Sequence, residues 1–444
     1  MPHPSPLYKA LIQPLLHLRA ALAQLDPEAI ARQAGFLRRS PRKIPIIDLV
    51  LGFCALASES FLSLERIASV IGLAAQCTYS KQSFHQRLPQ GVQRFLGQLA
   101  LALFGKMSDP LRNRGYFASF KRVLVHDSTI QSLPRVLAPF FPGSCDQKSK
   151  TRAALRIQWV CDLLAGSLLQ LTLCGYRRND QAAAGDILSI AKKGDLLLRD
   201  LGYFSVQVLA QLMAQGSFFL TRLRNGVLLF DPKTGKEIDL LKHLQREGRF
   251  DGPVWVGTEH TLMRLVVLPV PEELANLRRA RARSHRDQRS SPSNKRLALM
   301  DWSMFVTNVS QDVWPAEVVV NVYRLRWRIE IIFKSWKSHL RLCELNCRGA
   351  DLVRLSVMLK LLYCLLTFRC FQNIKTRAPR HQHVSLLRFT RVLGYCGPLI
   401  AAIILRITPA RLLEHYLAKY IFYEPRQDRQ NFPQQVAALM KGLA

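Results

Sequence analysis

The chain has 444 residues, and 49% of them are hydrophobic, which excludes a mostly disordered protein and allows a large core in roughly two to four domains. It carries 63 Lys and Arg against 31 Asp and Glu, which gives a formal net charge of +32. A basic excess of this size favours a polyanion partner, because binding to nucleic acid releases the cations condensed on its phosphates.

A merely basic soluble protein and a protein of acidic membrane surfaces are the alternatives, and the spread of Arg along the whole chain favours nucleic acid over both. The longest apolar runs, 355–368 and 397–405, fall short of the roughly 20 residues of a membrane helix. The N-terminal residues lack the pattern of a secretion signal, and the ten cysteines have no zinc-site spacing. We therefore expect a cytoplasmic protein with reduced thiols and no membrane partner.

Residues 1–115 are predicted to form a helical N-terminal domain that binds DNA. Apolar residues recur there at helical spacing. Within this region, 63–72 and 80–87 have the order of a helix-turn-helix, with polar and basic side chains on the second segment. A small helical bundle without DNA contacts gives the same pattern and stays an alternative.

From residue 116 the pattern changes to short strands, two of which end in acids. The runs 122–127 and 195–200 are rich in Val and Leu and end in Asp127 and Asp200. Two further strands lie between them, separated by a glycine-containing turn. Two antiparallel strands, a third strand and acids at strand ends are the pattern of a ribonuclease-H-like core. We assign the first part of this core to residues 116–215.

Two other acids of this region are given structural roles. Asp180 precedes an Ala-rich segment, so we expect it to cap the N-terminus of a helix. Asp162 precedes the glycine turn between two strands, so we expect it to flank a hairpin.

Residues 216–300 interrupt the core and are predicted to be a β-rich insertion. The runs 218–224 and 227–230 are joined by Asn-Gly, which predicts a hairpin. The insertion ends in an Arg-rich run, 278–283. A solvated linker and a segment that follows a phosphate backbone are the two interpretations of this run, and the total charge favours the second.

Residues 301–345 complete the core, and residues 346–444 are predicted to be a helical C-terminal region. The completing segment contains a helix that should begin after Pro315 and run to about residue 340. On this helix one apolar face can pack against a sheet. Beside it lies a polar stripe within an arc of roughly 60°, at about 100° per residue. The stripe consists of Tyr323, Arg326, Glu330 and Lys337.

The stripe alone does not distinguish a site from an amphipathic helix with incidental salt bridges. Its significance comes from Asp127 and Asp200, which add two carboxylates to that of Glu330. Carboxylate oxygens are the ligands that Mg²⁺ prefers. Three of them can hold two ions about 3.5–4 Å apart, which activate a water or a 3′-hydroxyl in a phosphoryl displacement.

These residues resemble three motifs of the aspartate-aspartate-glutamate (DDE) transposases of bacterial insertion sequences. Val-His-Asp-Ser-Thr at 125–129 resembles the first motif, and Arg-Asp-Leu-Gly-Tyr-Phe at 199–204 resembles the second. The spacing Tyr-x2-Arg-x3-Glu-x6-Lys at 323–337 matches the signature of the type-four insertion-sequence group without a departure. The gap of 130 positions between the second and third acids leaves room for the β-rich insertion of this group. The resemblance covers about residues 120–345.

The resemblance implies a multidomain α/β protein whose ribonuclease-H-like core carries a β-rich insertion and is flanked by helical N- and C-terminal regions. Asp127, Asp200 and Glu330 would bind Mg²⁺ or Mn²⁺, as two ions, and would catalyse cleavage of the element's ends and their joining to target DNA. The partners would be double-stranded DNA, as terminal inverted repeats and target, and a second copy of the chain in the synaptic complex. The protein would be bacterial and associated with the nucleoid. The residues that hold the DNA near the cut would be Tyr323, Arg326 and Lys337.

Two other functions stay open at this point. A metal-dependent DNA nuclease or resolvase on the same core would cut DNA without joining it. A non-catalytic DNA-binding protein derived from a transposase would do neither, and the intact set of three acids argues against it.

Overall fold

The structure is a computed structural model that describes residues 8–38, 44–57, 62–75, 77, 79–86, 91–105, 115–145, 151–284, 292–345, 349–378, 383–405, 422–423 and 432–441. Its central element is a mixed sheet of ten strands. These strands are β1 Val123–Leu133, β2 Pro142–Cys145, β3 Thr151–Asp162, β4 Leu168–Gly175, β5 Leu196–Arg199, β6 Phe218–Arg222, β7 Leu229–Phe230, β8 Phe250–Val256, β9 Thr261–Pro269 and β10 Trp302–Thr307. A second, two-stranded sheet pairs β11 His383–Val384 with β12 Phe422–Tyr423.

Helices lie before, within and after the strands, and the described helices do not include one with the length and hydropathy needed to cross a membrane. The α-helices are α1 Gln13–Leu16, α2 Leu18–Ala23, α3 Pro27–Gln33, α4 Ile46–Leu56, α5 Leu64–Ala75, α6 Lys81–His85, α7 Val92–Phe104, α8 Val206–Ala214, α9 Leu240–Glu247, α10 Glu272–Arg283, α11 Asn294–Ala298, α12 Ala316–Arg324, α13 Trp327–Ser338, α14 Ala350–Arg377, α15 Leu386–Tyr395, α16 Gly397–Ile404 and α17 Phe432–Met440. A π-helical turn forms Tyr8–Ile12, and short 3₁₀ turns form Gly115–Phe117, Arg135–Leu137, Ala184–Ser189, Leu201–Tyr203 and Leu299–Asp301.

The first half of the sheet has the strand arrangement expected of a ribonuclease-H-like core. Strand β1 pairs antiparallel with β3, which pairs antiparallel with β4. On its other edge β1 pairs parallel with β5, and β5 pairs parallel with β6. All four residues of β5 are buried, as is usual for a parallel strand covered on both faces. The mixed sheet and its helices confirm the predicted α/β fold class.

Side chains of the central strands alternate between two hydrophobic cores, one on each face of the sheet. Val123 and Val125 of β1 belong to one core, and Leu124 between them belongs to the other. The first core also takes in α4, α7, α13 and α14. The long helix α14 packs against α7 and α4, so the N- and C-terminal helices share this core with the sheet.

The hairpin between β3 and β4 forms as the sequence predicts. The Oδ1 atom of Asp162 accepts hydrogen bonds from the backbone amides of Leu164 (3.2 Å) and Ala165 (3.4 Å). Gly166 adopts a φ of +76°, and a Cβ atom there would lie 2.6 Å from Nε2 of Gln372. The left-handed backbone conformation favours glycine at this position, whereas the Gln372 side chain could move aside for a larger residue. The hairpin-flanking role of Asp162 is confirmed.

The strands of residues 216–300 continue the same sheet. Strand β10 pairs antiparallel with β6, and β9, β8 and β7 follow in order beyond it. The hairpin predicted around Asn225-Gly226 is wrong, because β6 pairs with β5 and β10 while β7 pairs with β8. The local turn signal does not reveal partners that lie far away along the chain.

The two segments of the predicted helix-turn-helix form helices of unequal length. Helix α5 has 12 residues, whereas α6 has 5. Ser80 caps α6 by accepting a hydrogen bond from the amide of Ser83 (3.3 Å), and Phe84 is buried against Phe53. Arg87, the last residue of the second segment, lies outside the described residues. DNA binding by this pair of helices stays a prediction.

The helix predicted from residue 316 to about 340 is interrupted at Leu325 and Arg326. The amides of both residues donate hydrogen bonds to carbonyls three positions back, at 3.0 and 3.1 Å. The amides of Arg328 and Ile329 do the same, at 2.9 and 3.0 Å. Such bonds tighten the chain into a 3₁₀-like turn between α12 and α13. The prediction of one continuous helix is therefore wrong at the position of Arg326.

Helix α13 is fixed to the sheet by two buried tryptophans. Trp336 of α13 and Trp159 of β3 meet edge to face with ring centroids 4.7 Å apart. They are 0% and 1% exposed. Phe333 of the same helix adds a second ring contact to Trp336, at 5.8 Å. This apolar contact holds the polar stripe of the helix over the edge of β1.

We predict that Trp336→Ala lowers the free energy of unfolding by about 3–5 kcal/mol, because it removes a buried ring and leaves a cavity against Trp159. Chemical denaturation would measure the change. Trp327→Ala on the same helix is the matched control, since its side chain is 58% exposed, and we expect a change within about 0.5 kcal/mol. Similar losses for both variants would contradict the anchoring role of Trp336.

Candidate active site

Asp127 and Asp200 lie beside each other where two parallel strands stop pairing. The parallel register of β1 with β5 ends at the pair His126 and Arg199, so each aspartate is the next residue of its own chain segment. Asp200 follows the end of β5, as predicted. Asp127 is not at a strand end, because β1 continues to Leu133 in antiparallel pairing with β3. It is the parallel pairing, not the strand, that ends at Asp127.

The guanidinium of Arg326 contacts all three predicted acids. Its Nη1 lies 3.3 Å from Oδ2 of Asp127, and its Nη2 lies 3.3 Å from Oδ1 of Asp200. The same Nη2 donates a hydrogen bond of 2.7 Å to Oε1 of Glu330. The arginine side chain is 7% exposed, whereas the three acids are 15%, 37% and 42% exposed in chain order. The structure therefore brings the three acids together around one buried cation.

Burial and neighbouring charges act in opposite directions at this cluster. Burial raises the pKa of the Asp127 carboxyl to about 7, against the lowering effect of Arg326 and of the Ser128 amide. The nearby carboxylates of Asp200 and Asp180 raise it further. Burial lowers the pKa of the Arg326 guanidinium, but Asp200 and the other acids more than offset this and leave it raised. The arginine is thus a permanent cation in this site.

The donor chemistry of the three acids fits a hard divalent cation. Carboxylate oxygens are the ligands of Mg²⁺ and Mn²⁺, and the space between the three acids is already one that a positive charge stabilises. Among the described residues, no group of three His, Cys, Asp or Glu side chains forms a ready metal cage. Arg326 contacts each of the three acids. Metal binding by these residues requires the guanidinium to move.

Tyr323 and Lys337 of the stripe are held in different surroundings. The ring of Tyr323 is 3% exposed and lies against Phe305, at 5.1 Å between centroids. The guanidinium carbons of Arg222 and Arg326 lie 5.5 and 5.8 Å from the centre of this ring. Lys337 donates a hydrogen bond of 3.0 Å to the carbonyl of Ile130 in β1. The structure joins Tyr323 to Arg326 and ties Lys337 to the strand of Asp127.

Asp180 and Arg156, which belong to none of the three motifs, lie next to this cluster together with Ser128 of the first motif. Asp180 is not a helix cap, because the Ala182 amide is bonded instead by Oδ1 of Asn179 (2.9 Å). Asp180 binds Arg156 and Ser128, at 2.8 and 2.6 Å. The sequence around Asp180 gives no sign of these partners, because Ser128 of β1 and Arg156 of β3 become neighbours only when the two strands pair.

A basic cleft of about 810 Å³ opens on the side of α12 that carries Tyr323. None of the described residues that line it is acidic. The exposed ring of Trp327 also lines it. The basic side chains of its wall are those of Arg222, Arg278, Arg281, Arg324, Arg328 and Lys375.

The Arg-rich run 278–283 forms the end of helix α10 and is partly structural. Arg278 donates hydrogen bonds to the carbonyl of Trp302 (3.0 Å) and to Oγ of Ser303 (2.9 Å). Arg279 forms an ion pair with Asp301. These two arginines fasten α10 to β10, so a freely solvated linker does not describe them.

We predict that Asp127→Asn stabilises the protein at pH 8 in EDTA by roughly 1–4 kcal/mol. Because the pKa of Asp127 is about 7 in the fold and near 3.8 in the unfolded chain, the folded state binds its proton more tightly. Stability from this group is therefore lost as pH rises from about 4 to 7 and is constant above that range. Denaturation curves at several pH values would measure the effect.

The difference between Asp127→Asn and the unsubstituted protein should shrink toward pH 4. Asp200→Asn, at a side chain 37% exposed, is the matched control, and we do not expect the pH-dependent gain in stability from it. Parallel pH profiles for the Asp127 variant and the unsubstituted protein would refute the role of burial.

Three comparisons with known proteins agree with one another. The transposase for insertion sequence element IS231B of Bacillus thuringiensis subsp. berliner is 26% identical over 337 residues, which are 70% of this chain and 70% of that protein. The transposase for insertion sequence element IS231D of Bacillus thuringiensis subsp. finitimus is 28% identical over 338 residues, with the same coverage. The transposase for insertion sequence element IS1151 of Clostridium perfringens is 25% identical over 292 residues, 60% of this chain and 61% of that protein.

The model of the transposase DDE domain matches residues 118–366, which is more than half of the chain. The matched segment includes the strands of both aspartates and the helix of Glu330. A divalent metal requirement follows from this family, as does the binding of DNA. The resemblance to the DDE transposases of insertion sequences is confirmed, and the chain belongs to the family of DDE transposases, while its place in the type-four group stays a prediction.

Proposed function

We propose that this DDE transposase mobilises a bacterial insertion sequence, cutting the element's ends and joining them to target DNA. The observation that carries the proposal is the meeting of Asp127, Asp200 and Glu330 at one guanidinium. Three acids separated by 73 and 130 positions would not converge on a buried cation if each were an ordinary surface group. The named relatives, all transposases for insertion sequence elements, support the choice of substrate.

The three acids would hold Mg²⁺ or Mn²⁺, as two ions. When bound, such ions supply an activated water or 3′-hydroxyl and stabilise the leaving oxygen of an in-line phosphoryl transfer. The chain's own residues position the acids and neutralise the DNA. Arg326 would leave the carboxylates for a phosphate near the cut, because a phosphate offers the guanidinium a bidentate partner. Tyr323 and Lys337 would hold the same stretch of DNA.

The basic cleft beside α12 would take the phosphate backbone of the element's end. Six basic side chains line the cleft and no acidic side chain of the described residues does, so its potential favours a polyanion. Tyr323 lines the cleft and lies against Arg326, which connects the cleft to the three acids. A duplex in the cleft would therefore pass close to the acids.

The remaining assignments concern whole regions. Residues 1–115 would bind the terminal inverted repeats, and residues 346–444 would complete the DNA path. The core in residues 116–215 and 301–345 would carry the chemistry, with the insertion of residues 216–300 between them. Two ends must be brought together for transposition, so the active form would contain at least two copies of the chain. The protein would act on DNA in the bacterial cytoplasm.

We predict that Asp127→Asn, Asp200→Asn and Glu330→Gln each lower the rate of end cleavage by roughly 1,000-fold, which corresponds to several kcal/mol of lost transition-state stabilisation. Affinity for the end DNA should change by less than about threefold. The assay uses a labelled duplex of the element's terminal repeat, Mg²⁺ and a target plasmid. Glu317→Gln on the neighbouring helix α12 is the matched control, because this acid is 59% exposed and pairs with Arg249.

The products of this assay decide between the proposal and its alternatives. Joined end–target DNA supports the transposase. Cleavage without joined product indicates a nuclease or resolvase, and binding without cleavage indicates a non-catalytic derivative. Full cleavage and joining by Glu330→Gln would refute the role of the three acids.

We also predict that Arg281→Ala combined with Arg324→Ala weakens end binding and makes it less sensitive to salt. Each lost phosphate contact should reduce the slope of log affinity against log salt by about 0.9, so the pair should reduce it by about 2. Titrations from low to moderate salt would measure the slope. Lys242→Ala, outside the cleft wall and 84% exposed, is the control. An unchanged slope in the double variant would exclude the cleft from the DNA path.

A further inference from the structure

A polar cluster joins the strand of the first aspartate to the turn that follows the second. Oδ1 of Asp180 accepts a hydrogen bond of 2.6 Å from Oγ of Ser128 and one of 2.8 Å from Nη1 of Arg156. The same nitrogen donates to the Ser128 oxygen at 2.8 Å. The three polar groups therefore form a closed triangle. The Arg156 side chain is 10% exposed and that of Asp180 28% exposed, so water competes little for the arginine.

Ser128 connects this triangle to Asp127. Its backbone amide donates a hydrogen bond of 2.7 Å to Oδ1 of Asp127. Because side chains alternate along a strand, Asp127 points to one face of the sheet, where Arg326 binds it, and Ser128 points to the other, where Asp180 binds it. One side chain of β1 is thus fixed on each face, and the Asp127 carboxylate is held by Arg326 and by the backbone amide of Ser128.

Gly202 connects the triangle to Asp200. The amide of Gly202 donates a hydrogen bond of 3.3 Å to Oδ2 of Asp200. A Cβ atom at position 202 would lie 3.0 Å from Oδ2 of Asp180 and 3.2 Å from its Cβ. The Asp180 side chain therefore packs directly on the backbone of the turn that orients Asp200. This close approach gives a physical reason for glycine in the Asp-Leu-Gly-Tyr-Phe motif.

Tyr203, the next residue of the motif, packs beside the Asp180 triangle on the same face of the sheet. Its hydroxyl donates a hydrogen bond of 2.7 Å to Oε1 of Gln158, and its ring lies 4.1 Å from that of His126. The pKa of this hydroxyl is raised, first by burial and then by the carboxylates of Asp180 and Asp127. Asp180 is thus in reach of residues from both aspartate motifs.

We propose that Asp180, held by Arg156 and Ser128, is a positioning residue that fixes Asp127 and Asp200 relative to each other for the transposase reaction. It is not a fourth ligand for the metal, since its Oδ1 already accepts two hydrogen bonds and its Oδ2 faces Gly202. The inference rests on the proposed function for the expected loss of cleavage rate. The expected change in the backbone at both aspartates does not depend on that function.

The test compares Asp180→Asn with Asp186→Asn. Asp186 is a matched control, because it lies in the same segment and binds Arg178 at 2.6 Å with a side chain 20% exposed. Asp180→Asn keeps the shape of the side chain and its contact with Gly202 but leaves Arg156 without its counter-charge. We expect the cleavage rate at saturating end DNA to fall by 10- to 100-fold, as for partners that orient catalytic ligands, with KM changed by less than about threefold. Asp186→Asn should change neither value by more than about twofold.

Hydrogen exchange gives a second measurement that does not depend on activity. In Asp180→Asn the amides of residues 127–129 and 200–203 should exchange faster than in Asp186→Asn, with the remaining sheet unchanged. Ser128→Ala, which removes only the hydroxyl link, should show the same change at 127–129 to a smaller degree. If Asp180→Asn does not fold, Ser128→Ala is used in its place in both measurements.

The outcomes separate the inference from the proposed function. If the unsubstituted protein fails to cut end DNA, the proposed function fails, and the exchange measurement alone decides the inference. Faster exchange at both aspartate segments, with a lower cleavage rate at unchanged KM, supports positioning by Asp180. Unchanged exchange at these segments, or equal effects of the Asp180 and Asp186 variants, overturns it.

Discussion

The contact of one arginine with three carboxylates is the interaction on which the rest of the site depends. Asp127 comes from a strand, Asp200 from the turn after a parallel neighbour, and Glu330 from a helix above the sheet. Three like charges so close together repel one another. Arg326 offsets this repulsion while it is itself almost fully buried. The backbone elements that place this guanidinium therefore determine whether the acids meet at all.

Two features of the chain place Arg326. Arg326 lies in the 3₁₀-like turn between α12 and α13, and from there its guanidinium reaches Asp127 of β1. The packing of Trp336 on Trp159 then fixes the distance of α13 from the sheet. An apolar contact about three turns away thus controls the geometry of an ionic cluster, because a close-packed interior transmits such constraints.

Much of this could be predicted from the sequence, and the parts that could not have a common physical reason. The three acids and the α/β class follow from motifs and from local periodicity, which are properties of short segments. The position of Asp127 inside a long strand does not, because the run after it reads as polar and is ordered only by pairing with β3. The role of Asp180 and the missing hairpin at Asn225-Gly226 also depend on partners distant in sequence. Local patterns give the residues of the site, and long-range pairing gives their neighbours.

The buried arginine also relates the acidic site to the basic chain around it. A duplex brought into the cleft carries its own negative charge, and three uncompensated carboxylates would repel it at short range. Arg326 cancels one of the three negative charges, and the six basic residues of the cleft attract the duplex. In the proposed function, the arrival of a phosphate would give the guanidinium a new partner when the carboxylates are needed for metal ions. On that proposal, the same side chain would keep the acids together before DNA binds and release them once it has bound, so that the acids would become available to metal ions only when the substrate is present.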